Sequence, residues 1–215
     1  MSVATQLKRL AVLTSAAAVV LGGVAVTPAS ADVIEIPVSY KVSGSTTVKK
    51  TGSAMNLGPG SLKGNLIIDD QTGSVGLSAD LTLPPAQADI SLIAGLFRIK
   101  AKVKVVPLGP STGTLADGTL TAHAKSNMEI SDIYFGILSA PTIPLPTLPG
   151  ACKTKTPIDM DLVAPNIDIT SPTITLTSTY TIPDFNNCFL ADIALGALVS
   201  GPGNTISLDL TSDVS

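Results

Sequence analysis

One stretch of the chain carries the residue types of a serine hydrolase. Residues 109–113 match the G-x-S-x-G pattern that surrounds a nucleophilic serine, and Asp117 and the sole histidine, His123, follow along the chain. Such a serine needs a sharp turn between a strand and a helix, which exposes its hydroxyl and supplies oxyanion amides. The residues after Ser111 instead contain glycine and alternate as a strand does. The sequence therefore predicts a turn between strands at this position, and a protein that is not an enzyme.

Residues for metal and nucleotide chemistry are also few. One histidine and two cysteines supply too few ligands for a transition metal. Asp69 with Asp70, and Asp159 with Asp161, could offer oxygen atoms to calcium, but neither pair has the spacing of an established calcium loop. The chain has no phosphate-binding glycine loop followed by Lys and Ser or Thr. We therefore expect neither a metal nor a cofactor.

Four cations share one face of a single predicted strand. Between Phe97 and Val105, apolar residues alternate with Arg98, Lys100, Lys102 and Lys104. Like charges on one strand face repel each other unless carboxylates or ligand anions lie opposite them. One interpretation is a candidate face for an anionic ligand, such as an acidic glycan or an anionic lipid headgroup. The simpler one is compensation within the fold, for which the candidate carboxylates are Asp69, Asp80, Asp89 and Asp161.

The two cysteines predict a disulfide. Cys152 and Cys188 are the only cysteines in the sequence, and an even pair in an exported chain is typical of a disulfide bond. Closing a loop of about 37 residues would remove unfolded-state entropy worth roughly 4 kcal/mol. A catalytic thiolate would need a neighbouring base, and neither cysteine has a histidine nearby in the sequence.

The first 31 residues have the pattern of a secretory signal peptide. Lys8 and Arg9 precede an apolar run over residues 10–26, and an Ala-Ser-Ala site ends at Ala31. We expect cleavage after Ala31, although an uncleaved membrane anchor is the alternative. The mature chain, residues 32–215, is then expected to be a single all-β domain with no transmembrane segment, secreted or associated with the cell envelope.

Alternation with a period of two dominates the mature sequence and predicts strands. A hairpin is expected where two alternating runs flank the turn residues 69–73, and Pro37 favours an edge position. The predicted strands cover residues 34–42, 62–68, 75–83, 97–105, 120–125, 128–135, 158–162, 173–182 and 206–210. Short strands without alternating helices favour an antiparallel β-sandwich or, alternatively, a small half-open barrel.

Two segments interrupt this pattern. Residues 187–200 have apolar residues at helical spacings before a Gly-Pro-Gly stop, which predicts a short C-terminal helix that caps one open end of the β core. Residues 140–150 contain four prolines and are expected to be extended. Ile143, Leu145 and Leu148 either pack this segment as a crossover between sheets or form an exposed apolar docking loop.

Composition limits the class of partner. The chain is 45% hydrophobic but only 13% charged and 3% aromatic, with a formal net charge of −3 and no tryptophan. A chain this apolar is not a disordered acidic tail. It also lacks the excess of cations and the aromatic platforms that nucleic-acid binding requires. Polyanions in general are therefore poor candidates, and nucleic acid is excluded from the expected partners.

Two functional hypotheses remain. The first is a secreted, non-enzymatic binding or structural module at the bacterial cell envelope, with lipid or an envelope polymer as its partner. The alternative is an extracellular carrier of an apolar ligand, such as a fatty acid or an envelope lipid. Abundant aliphatic residues and few aromatic ones suit an aliphatic cavity better than a sugar-stacking groove. A cavity with room for only a few waters would count against the carrier.

Overall fold

The chain folds into antiparallel strands and one short helix. The computed structural model describes residues 33–92, 96–137, 140–146, 152–167, 171–189 and 191–213. The elements are β1 (Val33–Val48), β2 (Ser53–Asp69), β3 (Val75–Thr82), β4 (Ala86–Leu92), β5 (Phe97–Pro107), β6 (Ser111–Ala116), β7 (Thr119–Ile137), β8 (Ile143–Leu145), β9 (Lys153–Thr154), β10 (Ile158–Ala164), β11 (Thr173–Ile182), β12 (Phe185–Asn186), α1 (Ala191–Leu198) and β13 (Gly201–Ser212). The predicted all-β class with a short C-terminal helix is confirmed. The predicted signal peptide lies outside the described residues.

The strand pairing closes into a ring. Its hydrogen-bonded neighbours follow the order β1, β2, β3, β6, β7, β10, β11 and β13, and β13 pairs with β1. β10 follows β7 over seven residues, but it pairs with β11 only between Val163 and Thr177. Of the two architectures that the sequence left open, the ring corresponds to the barrel, with its weakest pairing between β10 and β11.

Strand β7 is longer than its sequence pattern predicts. Residues 120–125 and 128–135, which we expected to be two strands, belong to one strand of 19 residues. Its first part pairs with β6, and its second part pairs with β5, which in turn pairs with β4. No turn interrupts the strand. Instead, its geometry departs locally from that of a regular strand: Asp132 has a φ of 50°, and the register between β7 and β5 shifts between Lys100 and Lys102.

The predicted hairpin between β2 and β3 is confirmed, with Leu62 opposite Leu81 and Leu66 opposite Leu77. In its turn, Asp69 accepts hydrogen bonds from the backbone amides of Gln71 and Thr72 at 2.9 and 3.2 Å. Hydrogen bonding, from Thr72 above all and from Gln71, holds the pKa of the Asp69 carboxyl below its usual value. An ordinary Asx turn thus accounts for this acidic residue.

Alternate residues of the ring strands fill its interior. Val42 of β1, Leu176 of β11 and Leu208 of β13 are all less than 5% exposed. Helix α1 covers one end of this interior through Leu195, together with Val199 immediately after the helix, and both residues are buried. The predicted capping role of the helix therefore fits the structure. This end of the molecule is called the helix end below.

The helix itself is shorter than residues 187–200. It begins at Ala191 because Asn187 and Phe189 have positive φ values of 58° and 54°, which no right-handed helix contains. The Asp192 carboxylate accepts a hydrogen bond from the Cys188 amide at 3.1 Å. The predicted stop is correct, since Gly201 has a φ of 142° and begins β13.

The predicted disulfide is confirmed. The Sγ atoms of Cys152 and Cys188 are 2.04 Å apart, and both residues are almost fully buried. The bond lies beside the short β9–β12 pairing and immediately before α1. It therefore ties the start of the helix to the chain that enters β10.

Candidate functional site

The hydrolase-like residues are not assembled into a catalytic site. Ser111 begins β6 and faces the same side as its partner Ala79, which is buried. His123 lies on β7 opposite Thr112, on the outer face of the sheet. Successive side chains of a strand point to opposite faces, so Ser111 and His123 point away from each other. Asp117 occupies the β6–β7 turn with a φ of 50°, beside Gly118 at 72°, as a two-residue hairpin turn requires.

His123 instead contacts two carboxylates of β10. Its Nδ1 atom lies 2.9 Å from Asp161 Oδ1, and its Nε2 atom lies 3.0 Å from Asp159 Oδ1. Lys125 Nζ is 3.5 Å from the other oxygen of Asp159. Every side chain in this cluster is at least 43% exposed, so the contacts are screened by water and contribute little to stability.

Three of the four cations on β5 pair with carboxylates. Arg98 Nη2 lies 3.2 Å from Asp89 Oδ2, Lys102 Nζ lies 2.9 Å from Asp132 Oδ2, and Lys104 Nζ lies 3.9 Å from Glu129 Oε2. Lys100 is exposed and lies opposite Asp89 in the strand register. The sequence suggested four carboxylates as partners of these cations. Of those four, Asp89 alone forms one of the three ion pairs. The anionic-ligand face stays a prediction, and neighbouring carboxylates offset much of its charge.

The proline-rich segment forms a short edge strand where it is described. Residues Ile143–Leu145 pair with residues 133–135 of β7, so the chain is extended there as expected. Ile143 is 53% exposed, whereas Leu145 is half-buried against the core. Leu148 lies outside the described residues. The apolar docking loop stays a prediction, supported by Ile143 and not by Leu145.

An apolar cavity of about 610 Å³ opens at the end of the ring opposite α1. We call it the open-end cavity. Its walls are inward-facing side chains from seven ring strands and from the β10–β11 connection: Val38, Tyr40, Leu62, Leu66, Leu77, Leu115, Leu120, Ile167, Ser171, Pro172, Ile174, Leu210 and Ser212. The volume lies within the range of about 300–1,000 Å³ typical of small-molecule sites. It would hold about 20 waters at liquid density, many more than the few that would argue against a carrier.

The cavity is the wide end of the apolar interior. Along β1, Val38 and Tyr40 are half-buried, and Val42, two residues deeper, is fully buried. Leu62, Leu120 and other side chains that are at most 9% exposed close its floor. Among the described residues that line the cavity none is charged, and the polar groups are the hydroxyls of Tyr40, Ser171 and Ser212. The arrangement can bury hydrocarbon and offer hydrogen bonds to a neutral polar group.

The apolar face continues beyond the cavity along three strands. Ile34 and Ile36 of β1 lie on the same face as Val38 and are 51% and 43% exposed. Ile34 is opposite Ile68 of β2, which is opposite Val75 of β3. We call these four residues, Ile34, Ile36, Ile68 and Val75, the apolar shelf. A ligand too long for the cavity would have apolar surface to lie on.

Other cavities in the described structure suit a ligand less well. Two apolar voids of about 50 and 40 Å³ lie deeper in the ring, near α1 and beside Met55 and Met128, and each is too small for a lipid chain. A groove of about 490 Å³ on the outer face is lined by Thr177, Thr179 and other hydroxyl-bearing residues. The threonines of β11 face solvent on this side, but the groove has no aromatic platform for a sugar.

The sequence did not reveal the open-end cavity. Val38, Leu66 and Leu115 alternate with polar neighbours just as core residues do. Alternation shows that a side chain faces inward, but the packing partner opposite depends on the strand order and on how far each strand extends. The one usable signal was the apolar run of β1, which begins well before the pairing of β1 with β13 at Tyr40.

No helix among the described residues has the length and apolar character needed to cross a membrane. No protein-family model matches the chain, and comparison with curated proteins and with solved structures yields no match.

Proposed function

We propose that this protein is a secreted, non-enzymatic binding protein that carries an aliphatic lipid in its open-end cavity. The observation that carries the proposal is a cavity of about 610 Å³ that is open to solvent and lined mainly by apolar side chains. Burial of hydrocarbon stabilises a complex by about 0.8 kcal/mol per methylene group. A single chain of ordinary lipid length would therefore supply ample affinity.

The lining favours a lipid whose polar end is uncharged. Hydroxyls of Tyr40, Ser171 and Ser212 can exchange hydrogen bonds with an alcohol or an ester, but they cannot neutralise a carboxylate. Beside the cavity, Lys41 is already paired with Asp213 at 2.9 Å. Within the class of fatty acids and envelope lipids, we therefore expect neutral members to bind more tightly than an ionised fatty acid of equal length.

The location outside the cell rests on two features. A buried disulfide joins Cys152 and Cys188, and such bonds persist in oxidising compartments. The residues before Asp32 have the pattern of a signal peptide. In a secreting host, we expect the exported protein to begin at Asp32. Association with the cell envelope belongs to the same proposal, because envelope lipids would be the nearest source of ligand.

The test is to purify the exported chain from its native host and to identify copurifying lipids by native mass spectrometry. Titration with a fluorescent fatty alcohol and with the matching fatty acid would then measure affinity.

In Val38→Glu a carboxylate enters the cavity wall, and we expect affinity to fall at least about tenfold, since burying a charge without a partner costs several kcal/mol.

Val33→Glu is the matched control. Val33 lies on the same strand, but it is 53% exposed and faces away from the cavity. Both variants should unfold cooperatively on heating, and Val33→Glu should bind as the unchanged protein does. If the purified protein carries no lipid and binds neither probe, the carrier proposal is wrong and a purely structural role remains.

A further inference from the structure

The outer face of α1 exposes apolar side chains. Ala191, Leu195 and Val199 face the interior at intervals of four residues, and all three are buried. Ile193 lies on the opposite face and is 81% exposed, with the exposed Ala197 one turn further on. Phe189, just before the helix, is 57% exposed. We call Phe189, Ile193 and Ala197 the apolar stripe.

The backbone before the helix holds Phe189 in solvent. Phe189 has a φ of 54°, a left-handed conformation that is rare for a bulky residue. Its neighbour Cys188 is buried and bonded to Cys152, so the chain cannot turn inward at this point without moving the disulfide. Backbone strain of this kind is found most often at functional positions. The aromatic ring is therefore presented outward by the fold.

Exposed lysines flank both ends of the stripe. At the end of α1, the Lys50 ammonium donates to the carbonyl oxygen of Gly196 at 3.2 Å, and Lys49 lies against Gly203. Near the start of α1, Lys153 is the strand partner of Asn186, and the Lys155 amide donates to the carbonyl oxygen of Asp184 at 2.8 Å.

Three carboxylates lie among these four lysines, and one of them, Glu129, is the strand partner of Lys153 and also lies 3.9 Å from Lys104 Nζ. Asp184 is exposed, and Asp192 already accepts a hydrogen bond from the Cys188 amide. The helix end therefore carries an excess of positive charge, although the whole chain has a net charge of −3.

We propose that the helix end docks on an anionic lipid bilayer. Phe189 and Ile193 enter the boundary between headgroups and acyl chains, and the flanking lysines lie over the lipid phosphates. Exposed apolar residues between cations fit a surface that has both apolar depth and negative charge. The proposal is independent of the open-end cavity. Val38 and Val48 are ten residues apart on β1, which places the cavity wall roughly 30 Å from the helix end.

A single tryptophan can report the docking, because the chain contains none. In Phe189→Trp, we expect a blue shift of the fluorescence on addition of phosphatidylglycerol vesicles, and little or none with pure phosphatidylcholine at the same concentration. Val33→Trp is the matched control at the opposite end, where Val33 is 53% exposed and faces away from the cavity and the apolar shelf. A shift of the Val33→Trp emission in place of the Phe189→Trp emission would overturn the proposal, because the cavity end would then be the docking surface.

Vesicle cosedimentation of further variants separates the two contributions. Phe189→Asn removes the ring and keeps a residue that tolerates positive φ, so it should remain folded and lose most of its binding. Lys49→Gln and Lys50→Gln should each weaken binding about fivefold at low salt, since a lysine near an anionic surface contributes about 1 kcal/mol. Lys63→Gln, an exposed lysine of β2, should bind normally. Absence of binding to anionic vesicles at low salt, or equal weakening by Lys63→Gln, would overturn the proposal.

Discussion

At the scale of single residues, Thr46 and Tyr180 form a polar contact inside an apolar interior. Tyr180 is 6% exposed and Thr46 is 4% exposed, and their hydroxyl oxygens are 2.7 Å apart. Thr46 donates its one hydroxyl proton to the carbonyl oxygen of Thr205 at 2.9 Å, so Tyr180 must be the donor to Thr46. Burial raises the pKa of the Tyr180 hydroxyl, and its hydrogen bond with Thr46 opposes this change only in part.

Removal of either partner should have unequal effects. Tyr180→Phe leaves Thr46 bonded to Thr205, so the free energy of unfolding should fall by about 1 kcal/mol. Thr46→Val leaves the buried Tyr180 hydroxyl without this partner, and the loss should be larger, up to about 3 kcal/mol. Urea unfolding of both variants and of the double variant measures the difference. Equal losses in the two single variants would contradict this account.

The same contact predicts a dependence on alkaline pH. In the unfolded chain Tyr180 ionises near its ordinary pKa of 10.0, whereas the folded chain retains the proton to higher pH. The stability contributed by this difference is fully present below pH 10 and is lost as the pH rises towards the raised pKa. Tyr180→Phe should therefore show a smaller decline in stability above pH 10 than the unchanged protein does, in the same urea experiment.

At the scale of elements, the disulfide supports the parts of the fold with the least regular pairing. The Cys152–Cys188 bond encloses β9, β10, β11 and β12, and it precedes a helix of only eight residues. A helix of this length is marginal alone and depends on tertiary packing. The bond and the buried Leu195 therefore hold α1 over the end of the ring together.

Reduction or Cys188→Ser should lower stability by about 4 kcal/mol, the chain-entropy cost of a loop with a sequence separation of 36. Amide hydrogen exchange should increase first in α1 and in the described residues 140–146. The β2–β3 hairpin should remain protected longer, because its pairing does not depend on the bond. Equal protection of α1 in the oxidised and reduced protein would show that the disulfide does not hold the helix.

The elements that the sequence predicted well are those with local signals. The β2–β3 hairpin has turn residues between two alternating runs, and the helix stop has Gly201 and Gly203. The carboxylate partners of the β5 cations were mostly missed because they depend on register between strands that are distant in sequence. Asp132 and Glu129 lie on β7, which we expected to be two strands. The cavity was missed for the same reason, since pairing order decides which inward faces meet.

At the scale of the whole molecule, the two ends differ in charge. Lys49, Lys50, Lys153 and Lys155 surround the helix end. Carboxylates border the other end, at Asp69 and Asp70 in the β2–β3 turn and at Asp213 after β13. A molecule with this distribution would approach an anionic surface with its helix end first. The open-end cavity would then face away from the bilayer, where it could exchange ligand with a soluble or surface-bound partner.

The ring closure also determines when the chain can fold. β1 completes its pairing only with β13, the last described strand, and the hydrogen-bonded residues Thr46 and Thr205 are 159 positions apart. Contacts between residues so far apart in the sequence form slowly, because a long loop must close before they become favourable. A chain threaded through an export channel would thus stay unfolded until β13 emerged. A chain that ends at Ser200 should show no cooperative thermal transition by circular dichroism, whereas a cooperative transition would mean that β1 to β11 fold without closure.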